Sequence, residues 1–301
     1  MTEKKKVKLK ETGFIVGVLA WPMMLFLVFY VYINASSFLM AFQHVDAEFN
    51  YHWNGLENFK DVVKSAVDGG SLLGVAMLNN LKMFFWTFVI GFPLNMVFGY
   101  YLYKKKVGHQ AIRFIVMLPS IISSMVMSLL FLKFTETALP ELIKKLLGVS
   151  VGNLLQQEST AFGMNIFYVL WTGFTSSLIL YPNAMNAIDD GVIESALLDG
   201  ANELQELWHI IMPLIYPTIT TFVVTGVASL FTNAGPLYAF YYKDAPSHVW
   251  TMGYYLFVQT MYGSGETAYP FMSALGLVLT ILTVPLVMIV KHIMEKCDPM
   301  N

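Results

Sequence analysis

An all-α membrane protein with six transmembrane helices is the fold class this sequence predicts, and three observations predict it. Hydrophobic residues make up 56% of the chain and charged residues only 13%. The mean hydropathy of +0.58 is well above what a soluble domain of this length needs. The apolar residues fall into runs of about 20, the helical length that crosses a bilayer core about 30 Å thick. These runs lack the two-residue alternation of membrane β-barrel strands.

The first run, Gly13–Ile33, follows Lys4, Lys5, Lys6, Lys8 and Lys10. A basic stretch before an apolar run also describes a secretory leader, and Ala35, Ser36 and Ser37 resemble a cleavage site. The run is longer than a leader core, so it reads as a retained anchor. Residues 1–12 then form a tail and residues 34–78 a polar segment. A five-helix core occupies residues 79–292, and residues 293–301 form a second tail. The core spans are Asn79–Tyr103, Ala111–Phe134, Ala161–Tyr181, Leu214–Asn233 and Tyr269–His292. Pro22, Pro93, Pro119, Pro217 and Pro285 lie in these runs, where membrane helices tolerate them if neighbours satisfy the freed backbone groups. The Tyr-rich stretch 238–262 is short of a seventh span and reads as a cap or an interfacial aromatic belt.

Basic residues orient the spans. The N-terminal lysines, the loop with Lys104, Lys105, Lys106 and Arg113, and the end with Lys291 and Lys296 belong in the cytoplasm. Residues 34–78 carry Asp46, Glu48, Glu57, Asp61 and Asp68 against Lys60 and Lys64, and belong outside. Both termini are therefore expected in the cytoplasm. The lysine clusters are short and flank apolar runs, which argues against nucleic-acid binding. Cys297 is the single cysteine, which excludes an intrachain disulfide and a cysteine metal site.

The loop between the fourth and fifth spans stands apart. Residues 189–217 hold six carboxylates and no Lys or Arg. On a helical wheel Ile193, Leu197, Gly200, Leu204, Leu207, Trp208 and Ile211 share one face, with Asp199, Glu203 and Glu206 on its flank. Two short helices meeting at Gly200 suit the sequence equally, because glycine weakens a continuous helix. A solvated cover is one reading of the loop. A membrane-surface helix would carry basic residues instead. A metal site would draw on Asp189, Asp190 and Glu194, or on Glu206 and His209, as in membrane enzymes acting on diphosphate lipids, yet no second carboxylate cluster faces them. A docking element would use the apolar ridge for affinity and the acids for orientation.

The segment "ESALLDGANELQELWHIIMP" resembles the signature loop of ABC importer permeases, Glu-Ala-Ala-x-x-x-Gly followed by nine residues and Ile-x-Leu-Pro. Glu194, Ala196, Gly200, Ile210 and Pro213 hold the matching positions, with Met212 in place of Leu. "NGLENF" at 54–59, "NNLKMFF" from Asn79, "RFIVMLPSIISSMV" from Arg113 and "FTNAGPLY" from Phe231 are similar to segments of the maltose, glycerol-phosphate and multiple-sugar permeases. The resemblance covers roughly Gly13 to His292 and implies the type I ABC importer permease fold. It also implies that the loop 189–213 is a coupling helix seated in a cytoplasmic ABC ATPase dimer. Glu194, Ala196, Leu197, Gly200, Leu204, Trp208 and Pro213 would make that contact. A second permease chain and an external solute-binding protein are implied as further partners.

The chain has no G-x-x-x-x-G-K-[ST] loop, so ATP hydrolysis is expected on a partner, and no enzyme activity or cofactor is expected here. A secondary transporter would carry an ionisable residue mid-membrane for ion coupling. The six spans hold no Asp, Glu or His away from their ends. A sugar suits such a path, held by aromatic faces and neutral hydrogen-bonding groups. Candidates are Asn165, Trp171, Thr172, Thr175, Ser176 and Ser177 in the fourth span, and Thr225, Ser229, Thr232 and Asn233 in the fifth. Small polar residues also serve as ordinary packing between membrane helices.

Overall fold

The structure, a computed structural model, describes residues 3–263 and 265–299. It begins with α1 (Glu3–Leu25), which continues through a π-helical stretch, Phe26–Tyr32, into α2 (Ile33–Met40). A hairpin follows, β1 (Gln43–Val45) and β2 (Tyr51–Trp53), then α3 (Glu57–Val67) and the long α4 (Leu72–Tyr103). Next come α5 (His109–Ile121), α6 (Ser124–Lys133) running through Phe134–Ala138 into α7 (Leu139–Leu147), and α8 (Ala161–Asn186). The loop of interest holds α9 (Asp190–Leu198) and α10 (Glu203–Gln205), which runs through Glu206–Ile211 into α11 (Met212–Leu214). The chain closes with α12 (Tyr216–Ala228), α13 (Leu237–Tyr241), α14 (Met252–Tyr262) and α15 (Tyr269–Lys296).

Among the described residues four helices are long and apolar enough to cross a membrane: Gly13–Met40, Leu72–Tyr103, Ala161–Asn186 and Gly265–Lys296. Two bent pairs raise the number to six if each counts as one span. The run Ala111–Phe134, expected as one straight span, is broken: His109–Ile121 and Ser124–Leu147 meet at 103°. Pro119 lies in the last turn of α5, and Ile122 is extended at φ −84°, ψ 141°. Hydropathy averaged along a run cannot register such a turn. The fifth span also bends, by 71° between Glu203–Leu214 and Tyr216–Ala228. Pro213 and Pro217 bracket that joint and have no N–H to donate across it.

Two compact units divide the chain, one formed by residues up to Lys64 with Gln259–Leu279, the other by Ser65–Val258 with the chain from Thr280. In the first unit β1 and β2 pair antiparallel, with His44 opposite His52. Asn58 fixes the hairpin's base, its side-chain amide donating to Ala41 O at 2.9 Å and Gln43 O at 2.7 Å. Phe42 stacks on Trp53 at 5.6 Å.

In the second unit α4 starts at Ser71, whose hydroxyl oxygen accepts the Gly74 N–H at 3.0 Å. Gly74 is required there, since a Cβ would lie 2.4 Å from Asp68 O. The helix packs along α8 through small residues: a Cβ at Gly99 would stand 3.3 Å from Tyr181 Cβ, and one at Gly91 3.2 Å from Leu170 Cδ2. Close backbone approach of this kind is how membrane helices gain packing contact without a hydrophobic driving force. One buried cluster joins Met96 and Tyr100 of α4 to Tyr181 and Met185 of α8, and takes in Ile193, Leu207, Ile211, Ile215 and Ile219.

Candidate functional site

The loop 189–213 folds as two short helices. Asp189 caps α9, its carboxylate accepting the Gly191 N–H at 2.7 Å. The helix ends at Gly200, which takes φ +81°. The Ala201 N–H returns to Ala196 O at 3.0 Å and the Gly200 N–H to Leu197 O at 3.1 Å, the paired bonds of a Schellman stop. A new helix starts at Asn202 with a capping box: Asn202 Oδ1 accepts the Gln205 N–H, and Gln205 Oε1 accepts the Asn202 N–H, both at 2.9 Å.

Restarting the helix splits the single apolar face expected from the wheel. Ile193, Ala196, Leu207 and Ile211 are buried. Leu197, Leu204 and Trp208 stay 54%, 67% and 50% exposed. Glu194 and Gly200 are exposed, and Pro213 is half-buried. Of the seven residues assigned to docking, Ala196 therefore faces inward, and the others lie at least partly open.

The acids divide as well. Glu206, placed on a solvent flank by the wheel, is 1% exposed, and Lys104 Nζ lies 2.6 Å from its Oε1. That contact has the distance of an ion pair without the angles of a hydrogen bond, so it acts chiefly through Coulomb attraction. Glu203 pairs with Lys106 on the surface. Two acids expected to face a partner are thus engaged by lysines of this chain, and Asp190, Glu194 and Asp199 remain on the exposed side.

Among the cavities formed by described residues of the second unit, two are lined by candidate path residues. One, of about 230 Å³, is lined by α4, α8 and α12 together with the turn after α12, including Asn80, Thr87, Asn95, Ser177, Ser229 and Asn233 with Phe84, Phe88, Tyr181 and Phe222. The other, of about 700 Å³, lies at the break between α5 and α6 and includes Ser120, Ser128, Tyr168, Thr172, Thr175 and Asn233. Asn233 borders both. No residue lining the smaller cavity carries a full charge at neutral pH.

The candidate path residues therefore separate. Ser229 and Asn233 line the smaller cavity, while Thr175 lines the larger and donates to Val116 O at 2.8 Å. Asn165 is buried and donates to Ala161 O at 2.8 Å. Thr225 bonds back to Thr221 O, and Trp171 packs by Tyr168 and Phe131; none of these three lines either cavity. The Ser176 side chain lies outside the described ones. Sequence reasoning passed over α4, which supplies Asn80, Thr87 and Asn95. Their amides and hydroxyl in an otherwise apolar run were the available signal.

The family described as "Binding-protein-dependent transport system inner membrane component" matches residues 88–299, which takes in the whole loop and, of the α4 cavity wall, Phe88, Phe92 and Asn95. The arabinooligosaccharides transport system permease protein AraP of Bacillus subtilis (strain 168) is 26% identical over 264 residues, covering 85% of this chain and 80% of its own. The multiple sugar-binding transport system permease protein MsmF of Streptococcus mutans is 21% identical over 266 residues, covering 87% and 88%. A bacterial ABC transporter involved in the import of the acidic polysaccharide alginate contains a chain that superposes with a TM-score of 0.78. That likeness covers 97% of this chain and 99% of the other at 19% identity, and is one of fold. Matched over more than half its length, the chain belongs to the inner membrane components of binding-protein-dependent transport systems, and is a permease subunit.

Proposed function

We propose that this chain forms the translocation path of an ATP-driven importer of a sugar, most simply a neutral oligosaccharide. The uncharged cavity lining, with amides, hydroxyls and aromatic faces side by side, is the observation that carries the substrate class. The names of the sugar permeases it resembles point the same way. The chain crosses the membrane six times with both termini in the cytoplasm, each bent pair counting as one span. Residues 34–78 lie outside, and residues 79–292 form the permease core.

In this reading the loop 189–213 docks a cytoplasmic ATPase dimer. Leu197, Leu204 and Trp208 form the contact ridge, with Glu194 beside them, while Gly200 and Pro213 set the two helix directions. Ile193, Ala196, Leu207 and Ile211 root the same element in the helix core. An element rooted on one face and open on the other is suited to passing a push inward. A second permease chain completes the path, and a solute-binding protein delivers the sugar. Energy comes from ATP hydrolysed on the partner.

Uptake of labelled oligosaccharide into vesicles holding the assembled complex tests this. ATP inside the vesicles should drive uptake, and a protonophore should leave it unchanged. Uptake that collapses with the proton gradient while ATP is maintained would assign the chain to ion-coupled transport instead.

A further inference from the structure

The loop is fixed to α4 as well as to its own neighbours in sequence. Glu206, 1% exposed, directly precedes Leu207 of the buried cluster, and Lys104, at the C-terminal cap of α4, reaches it at 2.6 Å. Lys104 Nζ also stands 5.7 Å from the ring centres of both Tyr100 and Tyr103. A charge pair so enclosed interacts more strongly, and is screened less by salt, than one in water. The Lys106–Glu203 pair is exposed by contrast, with side chains 37% and 61% accessible.

The loop joins α8 at one end and α12 at the other, and the connection to α12 passes a 71° bend, so a push along α10 and α11 is not collinear with that helix. The route through Lys104 enters a helix of 32 residues, about 48 Å long at 1.5 Å per residue. α4 lines the smaller cavity with Asn80, Thr87 and Asn95 among others. Near its far end Asn79 donates to His248 O at 2.8 Å and Trp250 O at 3.0 Å. Asn80 donates to Leu230 O and accepts the Met252 N–H at 2.6 Å. The helix is thus held by polar contacts at its C-terminal cap and about two turns from its start, and its cavity-lining stretch runs between them from Asn80 to Asn95.

We propose that Glu206 is a positioning residue that transmits motion of the 189–213 loop to α4 through Lys104, so that the cavity wall and the far clamp move with the ATPase. The proposal rests on the docking reading of that loop. It adds a line of force to α4 distinct from the chain's own connections to α8 and α12.

The test is Glu206→Gln in the complete complex, reconstituted with its ATPase, second permease chain and binding protein. The substitution keeps the side chain's size and leaves Lys104 partly solvated. Two quantities are read: the ATPase that co-purifies, and labelled oligosaccharide taken up per ATP hydrolysed. Co-purification should be unchanged while uptake per ATP falls about ten-fold, a typical size for coupling between sites. Lys106→Gln, at the exposed pair, should stay within about two-fold of wild type. An unchanged ratio for Glu206→Gln overturns the proposal. Loss of the ATPase also overturns it, because Glu206 would then belong to docking. If Glu206→Gln fails to fold, the double variant Lys104→Gln/Glu206→Gln, which leaves no lone buried charge, is read by the same two quantities. Failure of the docking reading itself looks different: the wild-type chain would retain no ATPase.

Discussion

Asn80 Oδ1 accepts the backbone N–H of Met252 at 2.6 Å, across 172 residues of sequence. The same side chain donates to Leu230 O, and it is only 4% exposed. One buried amide thereby joins α4 to the end of α12 and the start of α14. Replacing Asn80 with Leu leaves a buried N–H and a buried C=O unpaired, each costing about 1–3 kcal/mol. Thermal unfolding of the detergent-purified chain should fall clearly below wild type, with faster proteolysis in residues 230–252.

Gly253 packs against the turn that carries Asn233. A Cβ there would sit 2.5 Å from Thr232 O, 2.6 Å from Ala234 N and 2.7 Å from Asn233 C. These are backbone atoms, so they cannot swing aside. Gly253→Ala should displace the turn and sharply lower the yield of folded protein, measured as the monodisperse fraction after extraction. Gly276→Ala, where nothing lies within 4 Å of the added carbon, is the control and should extract normally.

Gly200 makes a different demand, on conformation and not on space. Its φ is +81°, and a Cβ added there would meet nothing within 4 Å. Gly200→Ala should cost about 1–2 kcal/mol through the left-handed backbone alone. The expected readout is weaker retention of the ATPase with the chain still folded, measured by co-purification beside thermal unfolding.

The hairpin in the first unit should resist acid. The Asp46 carboxyl accepts the Asn50 N–H, then a bond from His52, and these hold it down to about 2 from an ordinary 3.8. A depressed carboxyl stabilises the fold above its unfolded value and loses that contribution as pH falls through the folded one. Trp53, stacked on Phe42 in the same hairpin, reports it. In a variant retaining Trp53 as its only tryptophan, fluorescence should hold from neutral pH to about 4 and change between about 4 and 2. His52→Ala should move that change to higher pH.

Reporter fusions check the orientation. Fusions after Lys106 and after Lys296 should read as cytoplasmic and one after Asp61 as external, following the placement of the lysines. The reverse pattern would put the loop 189–213 on the wrong side for an ATPase.

Much of this architecture is legible because each apolar run of about 20 residues has one economical solution in a bilayer. The first span, the long α4, and α8 all coincide with such runs. The break after Pro119 was not legible, since apolar residues continue on both sides of it and mean hydropathy carries no direction. The loop shows a second kind of limit. Gly200 and the Asn202 capping box restart the helix, and the π-helical stretch Glu206–Ile211 then shifts its phase, so a wheel carried from Ile193 misplaces Glu206. The lysine partners of Glu203 and Glu206 lie about a hundred residues away, at a helix end that local periodicity does not connect to them. Leu197, Leu204 and Trp208, by contrast, could be picked out as a ridge and are among the apolar residues of the loop left exposed, though Leu198, the most exposed of them, was passed over.

Whether this ridge holds the ATPase that drives the chain is decided by the ATPase retained when Leu204 and Trp208 are truncated. Each stands exposed on an element whose other face is buried, so Leu204→Ala and Trp208→Ala should leave the chain folded. At an interface anchor each truncation costs about 2 kcal/mol or more, which is roughly a thirty-fold loss of affinity. With the ridge as the anchor, tagged variant chain should extract with wild-type yield, while co-purified ATPase and ATP-driven uptake fall together. Full ATPase retention and full uptake in both variants would contradict it, and would leave the loop 189–213 as no more than a solvated cover.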